Sequence, residues 1–502
     1  MTEFDWFAKW AVYTPDKPAV HEYETARTFT YSQMNYMANR LSLYLKEELG
    51  LSKSNRVAVL AENCIEYAVL FGAAQKIGIT LVPINYRLAQ RELDFILQDC
   101  EPALLIYEDK FADKVFSDTI TKSIPAKIEL TTVSEKLKEY LSEDKQSANV
   151  SENISEDDAI FILYTSGTTA FPKGAIYTHK MLFWNSINTE LRLNITSDDK
   201  SINCAPPFHT GSWNVLFTPF IHHGAYTILM KKFDADDELE LMDKEEITLW
   251  WAVPTMLKMM TESERFNKTK MEKLRYIVVG GEALPLEVIK TWHDKGVPIR
   301  QGYGLTEVGP NVTSLNHEDA TRKLGSIGTP NFYYKTKLVD EKGEEVIGEG
   351  QGELLLKGPN VTPGYWKNSE ATKSSIKDGW FSTGDIVKRD DEGFLYVIDR
   401  IKNMYISGGE NVYPAEVEHL LRLHAEISEV TIIGTADDKW GEVGKAFIVK
   451  EAGSKLSEDD VKEYCTGKLA KYKIPKYIVF LEAMPTNDAG KIDRKKLKEL
   501  SK

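Results

Sequence analysis

Ala159-Ile-Phe-Ile-Leu-Tyr-Thr-Ser-Gly-Thr-Thr-Ala-Phe-Pro-Lys-Gly174 reads as a buried strand running directly into a loop rich in glycine and hydroxyl groups. After the apolar run AIFIL come Thr165, Ser166, Gly167, Thr168, Thr169, Lys173 and Gly174. Hydroxyls, backbone N–H groups and a cation in so short a loop suit polyphosphate oxygens. The loop is not a Walker loop, because Pro172 stands where the second glycine belongs and Gly174, not Ser or Thr, follows Lys173. Nor is it a serine-hydrolase elbow, since Tyr164 takes the place of the first glycine of GxSxG. An ordinary surface turn is the alternative reading.

Working outward, RVAVLAENCIEYAVLFGAAQKIG from Arg56 predicts a strand, a turn and an apolar helix, and TLVPIN from Thr80 and ALLIYED from Ala103 predict further strands. LRYIVVGGEALPLEVIKTWHDKG from Leu274 repeats the rhythm, its helix begun by Pro285. The polar stretch 133–158 predicts a surface connection with one short amphipathic segment. From about 323 short strands alternate with glycine turns; beyond Arg400 a hairpin (EVTIIGTADDKWGEVGKAFIVKEAG), an amphipathic helix (DDVKEYCTGKLAKYK) and a strand (YIVFLEAMP) predict a compact α+β unit. The expected architecture is α/β: a large body of several subdomains over 1–399, a joint at 400–402 and a small α+β domain over 403–502.

The chain has 502 residues, with 62 Lys and Arg against 76 Asp and Glu, a net charge of -14. That balance argues against a nucleic-acid or anionic-membrane footprint. Residues 401–502 carry 17 basic and 17 acidic residues, so the excess lies before them. Four scattered cysteines exclude a disulfide framework and a CxxC zinc site. The N-terminal MTEFDWFAKWAVYTPDKPAV predicts an amphipathic helix ending near Pro15, not a signal peptide, and no apolar run reaches a membrane span. A reducing, cytoplasmic setting is the expectation.

Other turns are weak alone. Gly280-Gly-Glu-Ala-Leu284 and Gln301-Gly-Tyr-Gly-Leu-Thr-Glu307 each follow a strand; the second fails the dinucleotide fingerprint at Glu307. Glycines admit a flat ring, Tyr303 can stack, and Glu307 is a hard oxygen ligand for Mg2+ or a solvated turn carboxylate. Trp380-Phe-Ser-Thr-Gly-Asp385 and Asp399-Arg400 bracket the strand GFLYVI, placing a carboxylate for ribose hydroxyls, or an ordinary ion pair. Lys491 sits on a turn near the C-terminus.

YTSGTTAFPKG, GYGLTE, STGD, IDRIKNMYISGGENVYPAEVE and GKIDRKKL occur in this order over residues 164–497. Together they resemble the adenylate-forming (ANL) superfamily of acyl-CoA synthetases, firefly luciferase and peptide-synthetase adenylation domains. The resemblance implies an acetyl-CoA synthetase-like fold with a mobile C-terminal domain, and ATP, Mg2+ and coenzyme A as cofactors. It implies an AMP-forming acid–thiol ligase: carboxylate and ATP give an acyl adenylate and pyrophosphate, and a thiol then displaces AMP. By similarity, Thr165, Ser166, Gly167, Thr168, Thr169 and Lys173 hold the β- and γ-phosphates, and Glu307 helps hold Mg2+. Gly281, Glu282, Ala283, Tyr303 and Gly304 frame adenine; Thr306 touches the α-phosphate; Asp385 and Arg400 take the ribose. Lys491 bridges carboxylate and nucleotide as the main catalytic residue, with Thr306 and His209 beside it. Lys402 is the hinge, and Gly408 and Gly409 line a pantetheine tunnel. Lys468, Lys471, Lys473 and Lys476 are candidates for coenzyme A phosphates, or solvated helix-face lysines. The family's TTGxPKG has Ala170 in place of glycine here, which implies slower pyrophosphate handling.

Phe208-His209-Thr210-Gly211-Ser212 replaces the FDxS aspartate of amino-acid-activating relatives and is similar to fatty-acyl and aryl CoA ligases. His209, Trp213, Gly302, Val308 and Pro310 are expected around the acyl group, with Trp250 and Trp251 as further apolar candidates or plain core. A medium- or long-chain fatty acid is the first expectation and an aryl acid the second. A separate acyl carrier protein is the alternative acceptor, an idle binding homologue a third reading, and a homodimer is left open.

Overall fold

The computed structural model describes residues 3–116, 122–142, 150–165, 172–281, 284–407, 410–469, 471–487 and 491–501. The chain divides into two compact units, Met1–Thr336 with Leu356–Phe381, and Lys337–Leu355 with Ser382–Lys502. These boundaries fall inside the strands Lys335–Val339, Gly350–Lys357 and Trp380–Arg389. Contact density and a joint for rotation are different properties.

In the first unit, the strands Ala126–Glu129, Leu104–Tyr107, Arg56–Leu60, Thr80–Pro83, Ala159–Thr165 and Lys173–Thr178 form a six-stranded sheet in that order. All neighbours are parallel except the last pair, a hairpin. Such strands are covered on both faces, which is why they read as unbroken apolar runs. The helix Ile65–Ile77 is buried along its whole length. Its Lys76 is tolerated because Nζ meets Asp5 at 2.7 Å, while the same Asp5 caps the helix Trp6–Tyr13 by accepting from the Ala8 N–H. That helix stops before Pro15, as its sequence predicts.

A second sheet runs Leu249–Ala252, Tyr276–Val279, Ile299–Leu305, Gly309–Ser314 and Thr329–Pro330; the first three strands are parallel and the fourth folds back antiparallel. A third, of four strands, pairs Arg27–Thr30, Pro18–Glu22, Tyr226–Leu229 and Lys200–Asn203. In the second unit the predicted hairpin is Ile427–Asp437 against Gly441–Lys450, with Tyr477–Leu481 added in parallel.

Two local expectations need correction. The amphipathic segment in the polar connection is a 13-residue helix, Leu130–Ser142, whose Val133, Leu137 and Tyr140 enter the main core. Three apolar residues at spacings of 4 and 3 make a stripe narrow enough to be hidden by the surrounding charge. The helix expected over DDVKEYCTGKLAKYK ends at Cys465, because Thr466 is extended and Gly467 takes φ +76°.

Burial sets opposite pH arms. Burial pushes His179 and His223 down to about 4 and His222 to about 3. Each imidazole protonates in the unfolded chain below about pH 6.5 but stays neutral in the fold, so stability falls as pH drops from there, by about 2 kcal/mol per histidine at pH 5. Glu238, fully buried beside Cys204 and Trp250, is pushed up to about 8 by burial, so its contribution is lost as pH rises from 4.5 to 8. Urea denaturation should therefore show Glu238→Gln gaining about 2 kcal/mol on the native protein between pH 6 and pH 8. A pH-independent difference would contradict this burial of a protonated carboxyl.

Candidate active site

The phosphate-loop candidates hang on a hairpin. Thr165 and Lys173 are direct partners across its two strands, and Thr165 Oγ1 donates to the Lys173 carbonyl at 3.5 Å. Upstream, Tyr164 Oη donates to Asp99 at 2.5 Å, and the Trp366 indole N–H donates to the Asp99 carbonyl at 3.0 Å, so the strand end is pinned from the side. Ser166, Gly167, Thr168, Thr169 and Ala170 lie outside the described residues, as do Glu282, Ala283, Gly408 and Gly409.

Glu307 comes to this hairpin from the other sheet. It sits in the short 3-10 turn Thr306–Val308, which joins Ile299–Leu305 to Gly309–Ser314. Thr165 Oγ1 lies 3.4 Å from its Oε1, and Tyr365 Oη donates to the same oxygen at 3.0 Å. The Lys173 ammonium stands 5.5 Å from the Tyr365 ring centre. Carboxylate and hydroxyl oxygens thus meet beside an ammonium: the oxygens fit a hard divalent cation, and the ammonium fits the phosphate oxygens such a cation carries. Tyr365 was missed in sequence; burial, then the Glu307 charge, raises its phenol far above the usual value, so it remains a donor.

The turn needs its glycines. A Cβ on Gly304 would stand 2.2 Å from the backbone carbonyl of Pro310, so that glycine is explained by close strand approach whatever the ligand. Gly281 has φ +91°, and the strand before it ends beside Gly302, whose carbonyl lies 3.5 Å from a Cβ built on Gly280. Tyr303 pairs with Thr313 and is half-buried. Val308 is fully buried, its carbonyl accepting from Tyr334 Oη at 2.6 Å. Trp213 is 3% exposed among Tyr67, Phe71 and Phe161, its indole donating to the Pro207 carbonyl, and Trp250 is fully buried. These three have packing roles. Pro310 and His209 are half-buried, and His209 caps the helix Thr210–Asn214.

In the second unit Asp385 and Arg400 are paired across antiparallel strands, Arg400 Nε to Asp385 Oδ1 at 2.9 Å, with the carboxylate side chain 3% and the guanidinium 44% exposed. Burial first, then the charges of Arg400 and Arg494, lowers Lys402. Asp399, also missed, accepts from the N–H groups of Arg400 (2.6 Å) and Ala415 (2.8 Å) and from the Asn403 amide (3.0 Å), tying the 400–403 turn to the helix Pro414–Arg422. Lys491 is exposed, its turn closed by Asn487 N–H to the Lys491 carbonyl at 2.7 Å and Lys491 N–H to Asn487 Oδ1 at 3.1 Å. The four lysines are not on a helix face: Lys468 lies 3.2 Å from the Tyr464 ring centre, Lys471 and Lys473 are in a 3-10 turn, Lys473 pairs with Glu416 at 2.7 Å and Lys476 pairs with Asp437.

Residues 7–366 match the model of the AMP-binding enzyme family, and residues 416–491 that of the AMP-binding enzyme C-terminal domain. The chain belongs to the AMP-binding enzymes. Among curated relatives of this enzyme, the long-chain-fatty-acid–CoA ligase FadD13 of Mycobacterium tuberculosis is 37% identical over 97% of this chain and 96% of its own. Feruloyl-CoA synthase of an Amycolatopsis species is 34% identical over 97% and 96%. The o-succinylbenzoate CoA synthetase of Bacillus subtilis, solved with its acyl-adenylate intermediate, superposes with TM-score 0.88 at 32% identity, covering 98% of each chain. The AMP-binding enzyme described here is accordingly an AMP-forming acid–CoA ligase with the large and small domains of that fold.

Phe at position 365 tests the hydrogen bond found at Glu307. Tyr365→Phe removes one oxygen; with Glu307 as a Mg2+ ligand, the half-maximal Mg2+ concentration should rise about 10-fold, since outer partners of a ligating carboxylate carry that much. The readout is the Mg2+ concentration giving half-maximal ATP turnover; an unchanged value would leave Tyr365 a packing residue.

Proposed function

We propose that this ligase converts a compact apolar carboxylic acid, an aryl acid before a fatty acid, to its coenzyme A thioester by way of an acyl adenylate. The observation that carries the reaction is the meeting of Thr165, Lys173, Glu307 and Tyr365 at one hairpin mouth. Bringing a carboxylate to a triphosphate sets two anions against each other, so the protein has to neutralise charge and align the attacking oxygen. Lys173 and the 165–169 hydroxyls take β- and γ-phosphate oxygens. Glu307 and Thr165 would hold Mg2+, which supplies charge neutralisation between those oxygens. Thr306 holds an α-phosphate oxygen, Tyr303 and Gly281 frame adenine, and Asp385 with Arg400 accepts and orients the ribose hydroxyls. Lys491 donates to the attacking carboxylate as negative charge gathers. The carboxylate oxygen bonds to the α-phosphorus and pyrophosphate leaves.

In the second step the coenzyme A sulfur bonds to the acyl carbon, its proton is released and AMP departs. Rotation of the small domain about Lys402 removes Lys491 and brings Gly408 and Gly409 to the thiol's path. The aryl reading is supported by the 34% likeness to feruloyl-CoA synthase and the 32% likeness to the o-succinylbenzoate ligase; a fatty acid is the second reading, favoured by the 37% likeness to the long-chain ligase. Four free, buried cysteines support a cytoplasmic setting, and no helix among the described residues is long and apolar enough to cross a membrane.

The test is a carboxylate panel with ATP, Mg2+ and coenzyme A. AMP release dependent on both acid and coenzyme A is expected. Pyrophosphate release with transfer only to a holo carrier protein would replace the acceptor, and no release from any acid would leave an idle homologue.

A further inference from the structure

We infer that Trp251 sets the size limit of the acid: its indole closes the far end of the acyl slot, and substrates are flat or short carboxylates that stop against it. The inference rests on the ligase reading above and adds the dimension of the substrate to it.

Registers align Trp251 with Val278 and Val278 with Arg300. Alternation along the strands therefore puts Trp251 and Val253, Val278 and Gly280, and Arg300 and Gly302 on one face. The packing agrees: Trp250, Ala252, Ile277 and Val279 belong to one core cluster, whereas Leu249, Tyr276 and Val278 belong to another, with Trp251 packed against it. The row at the carboxyl ends of the strands thus offers Val253 and two glycines, where an added side chain would meet only main chain, the Gly302 carbonyl at 3.5 Å and the Thr313 carbonyl at 3.2 Å, so this face is floored by backbone at the place where parallel sheets receive ligands.

The helix Thr210–Asn214, begun by His209, covers the same face. A Cβ on Gly211 would lie 2.7 Å from the Trp251 ring, so the indole rests against the Gly211 backbone, two residues from His209. Trp251 is half-buried, while its neighbours Trp250 and Ala252 are fully buried. One edge of the ring therefore remains accessible at the strand end. Behind it lies a water-sized cavity bounded by Ser201, Asn203, Ser212, Thr227 and Phe217, and a second such cavity shares Asn203, Ser212 and Phe217. The indole is the partition between slot and cavity. With it gone, the indole's own volume joins that cavity, and an alkyl chain gains space that a benzoate-sized acid never reaches.

The experiment compares native protein, Trp251→Ala and Trp251→Leu by coenzyme A-dependent AMP formation with benzoate, butyrate, octanoate and dodecanoate. Native protein should favour benzoate over dodecanoate at least 10-fold in kcat/KM. Trp251→Ala should move that ratio at least 10-fold towards dodecanoate, chiefly through KM, and Trp251→Leu should move it in the same direction; if the alanine variant does not fold, the leucine variant decides. A general loss of activity through damaged structure would lower all four acids together and leave the ratio alone. A ratio unchanged within 2-fold in a folded variant, or native protein that already uses dodecanoate as well as benzoate, overturns the role of Trp251. Silence of every protein with every acid sinks the ligase reading instead.

Discussion

Lys491→Ala is expected to slow acyl-adenylate formation at least 100-fold while leaving thioester formation from supplied acyl adenylate within a few-fold of normal. The first half-reaction gathers negative charge on a carboxylate oxygen and the α-phosphate at once, and a single well-placed donor to such charge is worth 100- to 1000-fold in rate. Lys491 is exposed, and its main chain is tied to Asn487 by the Asn487 N–H to the Lys491 carbonyl and by the Lys491 N–H to Asn487 Oδ1, so its loss removes charge without removing packing. In the second half-reaction the leaving group is AMP, the proton departs from the thiol, and an ammonium at the carboxylate serves no step. Pyrophosphate release with saturating acid and, separately, thioester yield from synthetic acyl adenylate measure the two steps. Equal losses in both would remove the two-position role of the small domain.

The largest stability effect belongs to Arg27→Met. Arg27 joins two carboxylates that have almost no access to solvent: Nη2 meets Glu22 at 2.7 Å and Nη1 meets Glu66 at 2.8 Å, each carboxylate side chain being 2% exposed. Burial alone would raise the Glu66 carboxyl, but the hydrogen bond and charge of Arg27 outweigh it and hold the group below its usual value. Glu22 also accepts from the Ile65 N–H at 3.1 Å, and Glu66 from Ser134 Oγ at 2.7 Å, so neither acid can turn outward without breaking the entry to the helix Ile65–Ile77. Removing one member of a buried ion cluster costs about 3–5 kcal/mol, because the partners' charge remains desolvated. The depressed Glu66 value means that this cluster stabilises above about pH 4.5 and fades as pH falls through that range. The urea midpoint of Arg27→Met should therefore be far below native at pH 7 and converge on it towards pH 4. An unfolding free energy within about 0.5 kcal/mol of native at pH 7 would show that water already reaches the cluster.

Strand and helix positions were legible where one local signal spoke: unbroken apolar runs became the central parallel strands, and the helix before Pro15 ends where expected, whereas the end at Cys465, set by Thr466 and Gly467, was read through. What stayed hidden depended on residues distant in sequence. Tyr365 lies 58 positions from Glu307, and nothing in Gly364-Tyr-Trp366 announces a carboxylate partner. Arg27 lies 39 positions from Glu66, and only the docking of the helix Ile65–Ile77 brings the two together. Adjacent tryptophans at 250 and 251 look equivalent in composition, yet alternation sends one into the core and leaves the other half-buried on the opposite face. The site motifs themselves could be placed by order, since order survives folding; the bonds between them could not. Asp399 shows the same limit, for its three acceptor contacts are made to the 400–403 turn and to the helix Pro414–Arg422, which the sequence reading did not predict.

Acid-dependent exchange of labelled pyrophosphate into ATP, with coenzyme A left out, tests the two-step account most directly. Adenylation that precedes and does not need the thiol predicts steady exchange once the right carboxylate is present, and none without acid. Exchange that requires coenzyme A, or that proceeds with no acid, would contradict the acyl adenylate as the intermediate.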